Sequence, residues 1–540
     1  MNIQPLLGRL RENWKSGLTV ALVSIPLSVS LAVASESTPT AGIITAIWAG
    51  LMASIFGGSN FNIVGPTGAL SGFLATYAIV HGAQTLPMLA LVTGVFVLIA
   101  YVFKLEKFLV FVPGSAVHGF TLGVAFIIAF NQFNFALGLS GLPRHEAFIT
   151  NLFESFRHIG AINPQIFVMF LAFLAAMFLM LKYVKKVPGA IVLAPIGILI
   201  GYLSQQGSLP FVVQTLGSRY PDMAPKLFQA PTFFFHPSLI TAGLAIAVIA
   251  ILETMLSAKI ADGMTKTKYN KRKEMFGLGI ANLASGLMGG LPATAALART
   301  SLNVKTGANS KISATISSVC IAIISIFLLT TFRYIPLAVI AAILVFVAFR
   351  MIEQEHFIRL FHSDKKNFVI ALVVAVVTVW IDPIVGILLG TVISLLIFVE
   401  KLSRGQFELI VDNTEGKFVD KITSETLERI EKTGDTIIYS IKGQLAYING
   451  QSHITRFEQS LGAYKNVILR LRELSFVDLD GVDAFDEIIT LIKAQGKNVF
   501  VTGASPMISE LLHESHAYQR LEEEGAVFKR TSEALSKLGY

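Results

Sequence analysis

A single cysteine, Cys320, in 540 residues excludes a disulfide framework and a thiolate metal cluster. Charge is scarce too: Asp, Glu, Lys and Arg make up 14% of the chain, against about 25% in soluble domains. Beside a hydrophobic fraction of 53% and a mean hydropathy of +0.66, that scarcity excludes an ordinary soluble enzyme and indicates a polytopic membrane protein. The net charge of +8 is not a nucleic-acid surface, because the cations stand in short loops between apolar runs, as the positive-inside rule requires. The sequence has no Walker loop, no Rossmann fingerprint and no Ser/His/Asp order, so ATP-driven pumping lacks support and an ion gradient is the expected energy source. No cofactor is called for. The ten histidines are scattered, and the near pair His513/His516 reads as a solvated pair on a surface helix, so no structural metal is expected. The first apolar run continues through Pro39 into a second one without a small-residue cleavage site, so no cleaved signal peptide is expected.

What the chain does have is a pair of interruptions. Val64-Gly65-Pro66-Thr67-Gly68-Ala69 and Gly290-Leu291-Pro292-Ala293-Thr294-Ala295-Ala296 each break an apolar run, which then resumes as a short helix. Within a bilayer, non-helical backbone persists only where protein buries it or a cavity takes it up. Two such breaks in corresponding halves point to a transporter's substrate site. They read as the starts of two half-helices, over Thr67–Val80 and Ala295–Val304, whose free N–H groups and positive dipole ends form an anion site. Helix kinks that only improve packing are the plainer alternative.

About fourteen apolar segments precede Lys401, seven before and seven after a polar stretch near Gln205–His236. An odd number per half inverts the second half relative to the first. A polar loop carries Arg144, His145 and Glu146, and basic clusters include Lys182, Lys185 and Lys186 and the run Lys266–Lys273. With the N-terminus in the cytoplasm, the clusters after Phe103, Leu181, Ile260, Phe349 and Val399 all fall inside. Residues 1–403 form the membrane domain. From 404 to 540 the chain is charged and alternates strand-like runs (436–441, 466–471, 498–502) with helical ones (482–494, 506–513), which predicts a small cytoplasmic α/β domain.

Glu253 is the sharpest single residue, an acid within the apolar segment Leu239–Ile260. Ser257, four residues on, shares its helical face. A carboxylate with a hydroxyl suits Na⁺; a buried carboxyl also suits a proton; interhelical hydrogen bonding is the structural alternative. Arg299, about one turn into the second half-helix, either lends positive potential to the anion site or snorkels to the inner surface. Thr67 and Thr294 offer hydroxyls to the site or bond their own backbone.

Gly17-Leu18-Thr19, Ile25-Pro26, Pro39 with Gly42, Gly57-Gly58-Ser59 and Gly65-Pro66-Thr67-Gly68, with Asp262-Gly263-Met264-Thr265, Ala298-Arg299-Thr300 and Asn303 in the second half, resemble the sulfate permease (SulP) family of anion transporters. The tail resembles that family's STAS domain. The resemblance implies fourteen segments in a seven-plus-seven inverted repeat, split into core and gate, with elevator-like alternating access and a homodimer in the bacterial inner membrane. It implies a small inorganic or dicarboxylate anion bound at the backbone of Thr67, Gly68 and Ala69 and of Ala295, Ala296 and Leu297, with Arg299 beside it, and H⁺ or Na⁺ coupling at Glu253 and Ser257. Leu27-Ser28 after Pro26, where many sulfate-type members carry Gln, leans toward bicarbonate or C4-dicarboxylates. Asp480 occupies the tail's phosphoacceptor position, which argues against a serine-phosphorylation switch and leaves dimerisation, a cytoplasmic partner or simple capping. Uncoupled channel, nucleobase-type symporter and membrane-anchored sensor are the competing functions. Glu253 argues against the first, Arg299 and the tail against the second, and the paired breaks against the third.

Overall fold

The computed structural model describes residues 4–540 apart from 108–111, 144, 146–147, 185–187, 222, 224–225, 234–235, 382, 413–417, 423–434 and 461–463. Arg144, Glu146, Lys185 and Lys186 therefore lie outside the described residues. Two compact units divide the chain, Met1–Val392 and Ile393–Tyr540.

Helices occupy all fourteen expected places. They are α1 (Gln4–Ala34), α2 (Pro39–Phe56), α3 (Gly68–His81), α4 (Leu86–Val102), α5 (Gly114–Asn131), α6 (Pro164–Tyr183), α7 (Gly189–Gln205), α8 (Ser238–Thr265), α9 (Lys271–Leu287), α10 (Leu297–Lys305), α11 (Ile312–Leu328), α12 (Leu337–Met351), α13 (Lys365–Trp380) and α14 (Pro383–Ser403). Among the described residues, eight helices are long and apolar enough to cross a membrane, and α3, α7 and α11 are shorter apolar ones. Several starts are written locally. Thr38 accepts from the Ala41 N–H at 3.2 Å and Pro39 opens α2; Asn163 caps α6 ahead of Pro164; Asn270 accepts from the Lys273 N–H at 2.9 Å to start α9. Pro26 lies inside α1 and removes one intrahelical donor there.

The membrane helices pack in two groups. α9 lies against α2 and α4, α11 against α1 and α2, and α8 against α4 and α10. The second group joins α5 to α13 and α12, α12 to α6, and α6 to α7. The groups meet where α3 touches α5 and where α1 touches α7 and α12.

The C-terminal unit is a six-stranded sheet of β3 (Gln406–Asp412), β4 (Phe418–Ile422), β5 (Thr436–Leu445), β6 (Asn466–Val477), β7 (Asn498–Thr502) and β8 (Val527–Phe528), in the order β4-β3-β5-β6-β7-β8. The first two strands run antiparallel, and β5 to β8 are parallel. Helices α15 (Gly450–Ser460), α16 (Leu479–Ala494), α17 (Pro506–Leu512), α18 (His516–Glu523) and α19 (Thr531–Lys537) complete it. Ile437, Ile438, Leu469, Phe485, Ile488 and Tyr518 are buried in its core. Asp478 starts α16 by accepting from the Gly481 N–H at 2.8 Å, while Asp480 is exposed.

Candidate functional site

The two breaks meet. Val64–Gly65 (β1) pairs antiparallel with Thr294–Ala295 (β2), Val64 opposite Ala295 and Gly65 opposite Thr294. An antiparallel ribbon sends its outgoing chains in opposite directions, so α3 and α10 leave it from opposite ends. The second helix starts at Leu297, two residues later than the sequence predicts. Ala295 N–H donates to Thr254 Oγ1 at 3.1 Å and Ala296 N–H to the Ile63 carbonyl at 3.0 Å, which holds both residues extended. Of the expected backbone donors Ala295, Ala296 and Leu297, the first two thus hold the ribbon. The amides of Leu297, Ala298 and Arg299 are those without an intrahelical acceptor, Thr300 N–H being the first to reach back, to Ala296.

Neither half-helix receives an ordinary cap. Thr67 sits at the N-cap of α3 with extended dihedrals but gives its hydroxyl to Glu253 Oε2 at 3.1 Å. Ala296, at the N-cap of α10, has no side-chain oxygen to offer. A missing cap costs about 1 kcal/mol per helix. Here it leaves two positive helix ends beside one ribbon.

Arg299 does not reach the surface. It is 2% exposed, and its Nη2 donates to the Pro66 carbonyl at 2.6 Å. Nη1 has no hydrogen-bond partner among the described residues. Gly65 is what admits the guanidinium: a Cβ there would stand 2.9 Å from Nη1. The Glu253 carboxylate and the Arg299 guanidinium lie within electrostatic range, and Thr294 stands close to the same carboxylate. Ser257, fully buried, donates to Thr300 Oγ1 at 2.9 Å, and Thr300 accepts from the Ile63 N–H at 3.1 Å. Glu253 and Ser257 share a helix but turn to different partners.

A polar frame fixes the ribbon. Asn282 of α9 brackets Ala293, accepting from its N–H at 2.8 Å and donating to its carbonyl at 2.9 Å. Thr45 of α2 accepts from the Leu291 N–H at 2.6 Å. Ahead of the first break, buried Glu274 accepts from Gly58 N–H at 2.6 Å, Ser59 N–H at 2.7 Å and Asn62 Nδ2 at 2.6 Å. Nothing local marks Glu274, because it closes the cationic run Lys271-Arg272-Lys273 and reads there as a counter-charge. Asn303 donates to the Phe61 carbonyl at 2.9 Å.

The start of α3 is covered from the second helix group: a Cβ on Gly68 would meet Ile128 at 2.6 Å and Met351 Sδ at 3.1 Å. Further along α3, a cavity of about 320 Å³ is lined by Gly72, Thr76, Ile127, Gln132 and Thr378, among others. It lies beyond the ribbon and includes neither Thr67, Glu253 nor Arg299.

Paired helix breaks joined by a buried ribbon, with a carboxylate and a guanidinium beside two uncapped helix ends, define a multi-pass membrane transport protein rather than an enzyme. A sequence profile of the sulfate permease family matches residues 10–374, and one of the STAS domain matches residues 428–534. The chain belongs to the sulfate permease family, and it is an anion transporter of that family. It is 31% identical over 527 residues to the putative sulfate transporter YvdB of Bacillus subtilis, covering 95% of each chain. To the bicarbonate transporter BicA of Picosynechococcus sp. it is 23% identical, covering 96% of this chain and 93% of that one. Its fold matches the solved structure of SLC26A9 with a TM-score of 0.81 at 14% identity, over 99% of this chain and 91% of that one. The transmembrane domain of a cyanobacterial BicA matches with a TM-score of 0.62 at 22% identity, over 70% of this chain and 97% of that one.

Proposed function

We propose that this chain is a secondary active symporter, carrying a small anion of the sulfate, bicarbonate or C4-dicarboxylate class together with a proton. The observation that carries this reading is the ribbon register, Val64 opposite Ala295, which brings the uncapped starts of α3 and α10 to one place beside Glu253 and Arg299. The anion takes the free amides of Gly68 and Ala69 and of Leu297 and Ala298, with Arg299 Nη1 as the charged donor.

Glu253 supplies the coupling. As a carboxylate it accepts the Thr67 hydroxyl and repels an anion at the neighbouring helix ends. Protonated, it loses that charge and becomes a donor and a weaker acceptor, so the Thr67 hydroxyl can turn to an anionic substrate. Anion and proton thus favour each other's binding, as symport requires.

Alternating access is by elevator-type sliding of the group holding the ribbon against the group holding α5 and α12, whose Ile128 and Met351 cover Gly68. The chain works as a homodimer in a bacterial cytoplasmic membrane with both termini inside, and the STAS domain supports the dimer or docks a cytoplasmic partner. Names of bacterial relatives that handle sulfate and bicarbonate support the substrate class.

Radiolabelled uptake into proteoliposomes tests the proposal, with sulfate, bicarbonate, succinate and chloride under an imposed pH gradient, with and without sodium. Accumulation of one of them driven by inward protons is expected. Flux that only follows the anion's own gradient and the voltage would make the protein a channel or uniporter.

A further inference from the structure

Away from the ribbon, three side chains from two distant stretches converge. His118 stands in the first turns of α5; Glu353 follows the end of α12, and His356 lies in the first turn of the short helix Gln354–Ser363. His118 Nδ1 lies 3.1 Å from Glu353 Oε2. The His118 and His356 rings lie 3.7 Å apart between centroids, with their planes 32° from parallel. One ligand atom from each residue falls within 4.8 Å of the other two, and all three residues are partly open to solvent. The transport reading uses none of them.

We propose that His118, Glu353 and His356 bind a divalent transition-metal ion of the zinc class. Two imidazoles and one carboxylate form a three-ligand set that leaves a fourth tetrahedral position for water. Ligand bonds of about 2.1 Å place neighbouring donor atoms about 3.4 Å apart in a tetrahedron. The His118–Glu353 spacing already suits that, and rotation of the side chains closes the rest. The carboxylate with two neutral imidazoles leaves one negative charge, which offsets half of a divalent ion. Imidazole ligands exclude calcium and magnesium, which take oxygen donors. The absence of thiolate from the set disfavours copper(I).

The bound ion ties the beginning of α5 to the end of α12. Those two helices supply Ile128 and Met351, the side chains that close over Gly68 at the start of α3. Occupancy therefore stiffens the cover of the half-helix without touching the ribbon.

The test uses full-length protein purified in detergent without a polyhistidine tag, stripped with chelator and titrated with Co²⁺. One Co²⁺ per chain, with the visible absorption of a low-coordinate site that Zn²⁺ displaces, is the expected result. His118→Ala and His356→Ala should each weaken binding at least about 100-fold, the loss that outer-shell changes alone reach. His362→Ala, an exposed histidine of the same short helix, should bind as the parent does. Glu353→Gln keeps an acceptor for His118 and guards against a folding artefact. It should lose cobalt while eluting as the parent protein does. Zn²⁺ should raise the melting midpoint of the parent and of His362→Ala alone. No saturable cobalt binding to the parent, or parent-like binding by both His118→Ala and His356→Ala, would overturn the site.

Discussion

Thr67 gives its hydroxyl to Glu253, at 3.1 Å, and so leaves the start of its own helix open. One side chain thereby links the acid of α8 to the amides at the head of α3. In the symport proposed above, that bond is what joins protonation at one end to anion binding at the other.

Glu253→Gln keeps the shape and a hydrogen-bonding partner for Thr67 but carries no titratable proton. Proton-driven accumulation should vanish, while anion exchange at equal pH and the elution profile persist. Full accumulation by this variant would remove Glu253 from coupling.

Thr67→Val deletes the hydroxyl at constant shape. A hydrogen bond to a charged group contributes about 1.5–3 kcal/mol, so proton-driven uptake should fall at least about tenfold, and Thr67→Ser should restore it. Equal loss in both variants would point to packing instead.

Arg299→Ala should raise the half-saturating anion concentration about tenfold to a hundredfold, the range of a lost charge-assisted contact. Arg299→Lys should not rescue it, since an ammonium offers its donors from one nitrogen and lacks the fork whose Nη2 holds the Pro66 carbonyl while the separate Nη1 stays unpartnered among the described residues. Gly65→Ala should mimic Arg299→Ala in part, because its Cβ would occupy space 2.9 Å from Nη1. Unchanged affinity in all three would leave Arg299 a structural cation.

Glu274→Gln tests the frame rather than the site. An amide that donates as well as accepts would face three donors, Gly58 N–H, Ser59 N–H and Asn62 Nδ2. The loss should be on the order of 3 kcal/mol, read as a lower melting midpoint by size-exclusion fluorescence. A midpoint equal to the parent's would show that the loop holds without the charge.

The C-terminal unit should weaken in acid through His453. That ring is fully buried, with Nδ1 2.8 Å from the Tyr439 hydroxyl. Burial first, and then the Arg456 charge, push its pKa down from 6.5 to about 4. Between those values the unfolded chain binds the extra proton, so stability rises with pH across that window and is lost as pH falls through it, by about 3 kcal/mol in all. Hydrogen exchange over residues 436–460, corrected for its intrinsic pH dependence, should accelerate from pH 6.5 to 4 in the parent and not in His453→Leu. The same acceleration in both would assign the effect to other groups.

The fourteen helices, the two breaks and the strand–helix alternation of the tail were legible in the sequence. Each is a local pattern: apolar runs, eight of them in helices long enough to cross a membrane among the described residues, Gly-Pro interruptions, and runs of β-branched residues between polar turns. So were Glu253 and Arg299, because a charge in an apolar segment is conspicuous wherever it finally points. What the sequence could not tell was which groups the fold turns toward each other. Ala295 and Ala296 look like free helix-start amides until Thr254 and the Ile63 carbonyl claim them. Glu274 looks like a surface counter-charge until the Gly58–Asn62 loop folds over it. His118 and His356, scattered in the chain, become neighbours only when α5 packs on α12. Backbone propensity and hydropathy act within a few residues, so they determined the elements and where the helices stop. Hydrogen-bond partnership acts at about 3 Å between segments hundreds of residues apart, so only the packed tertiary structure decided which donors hold the fold and which remain for a ligand.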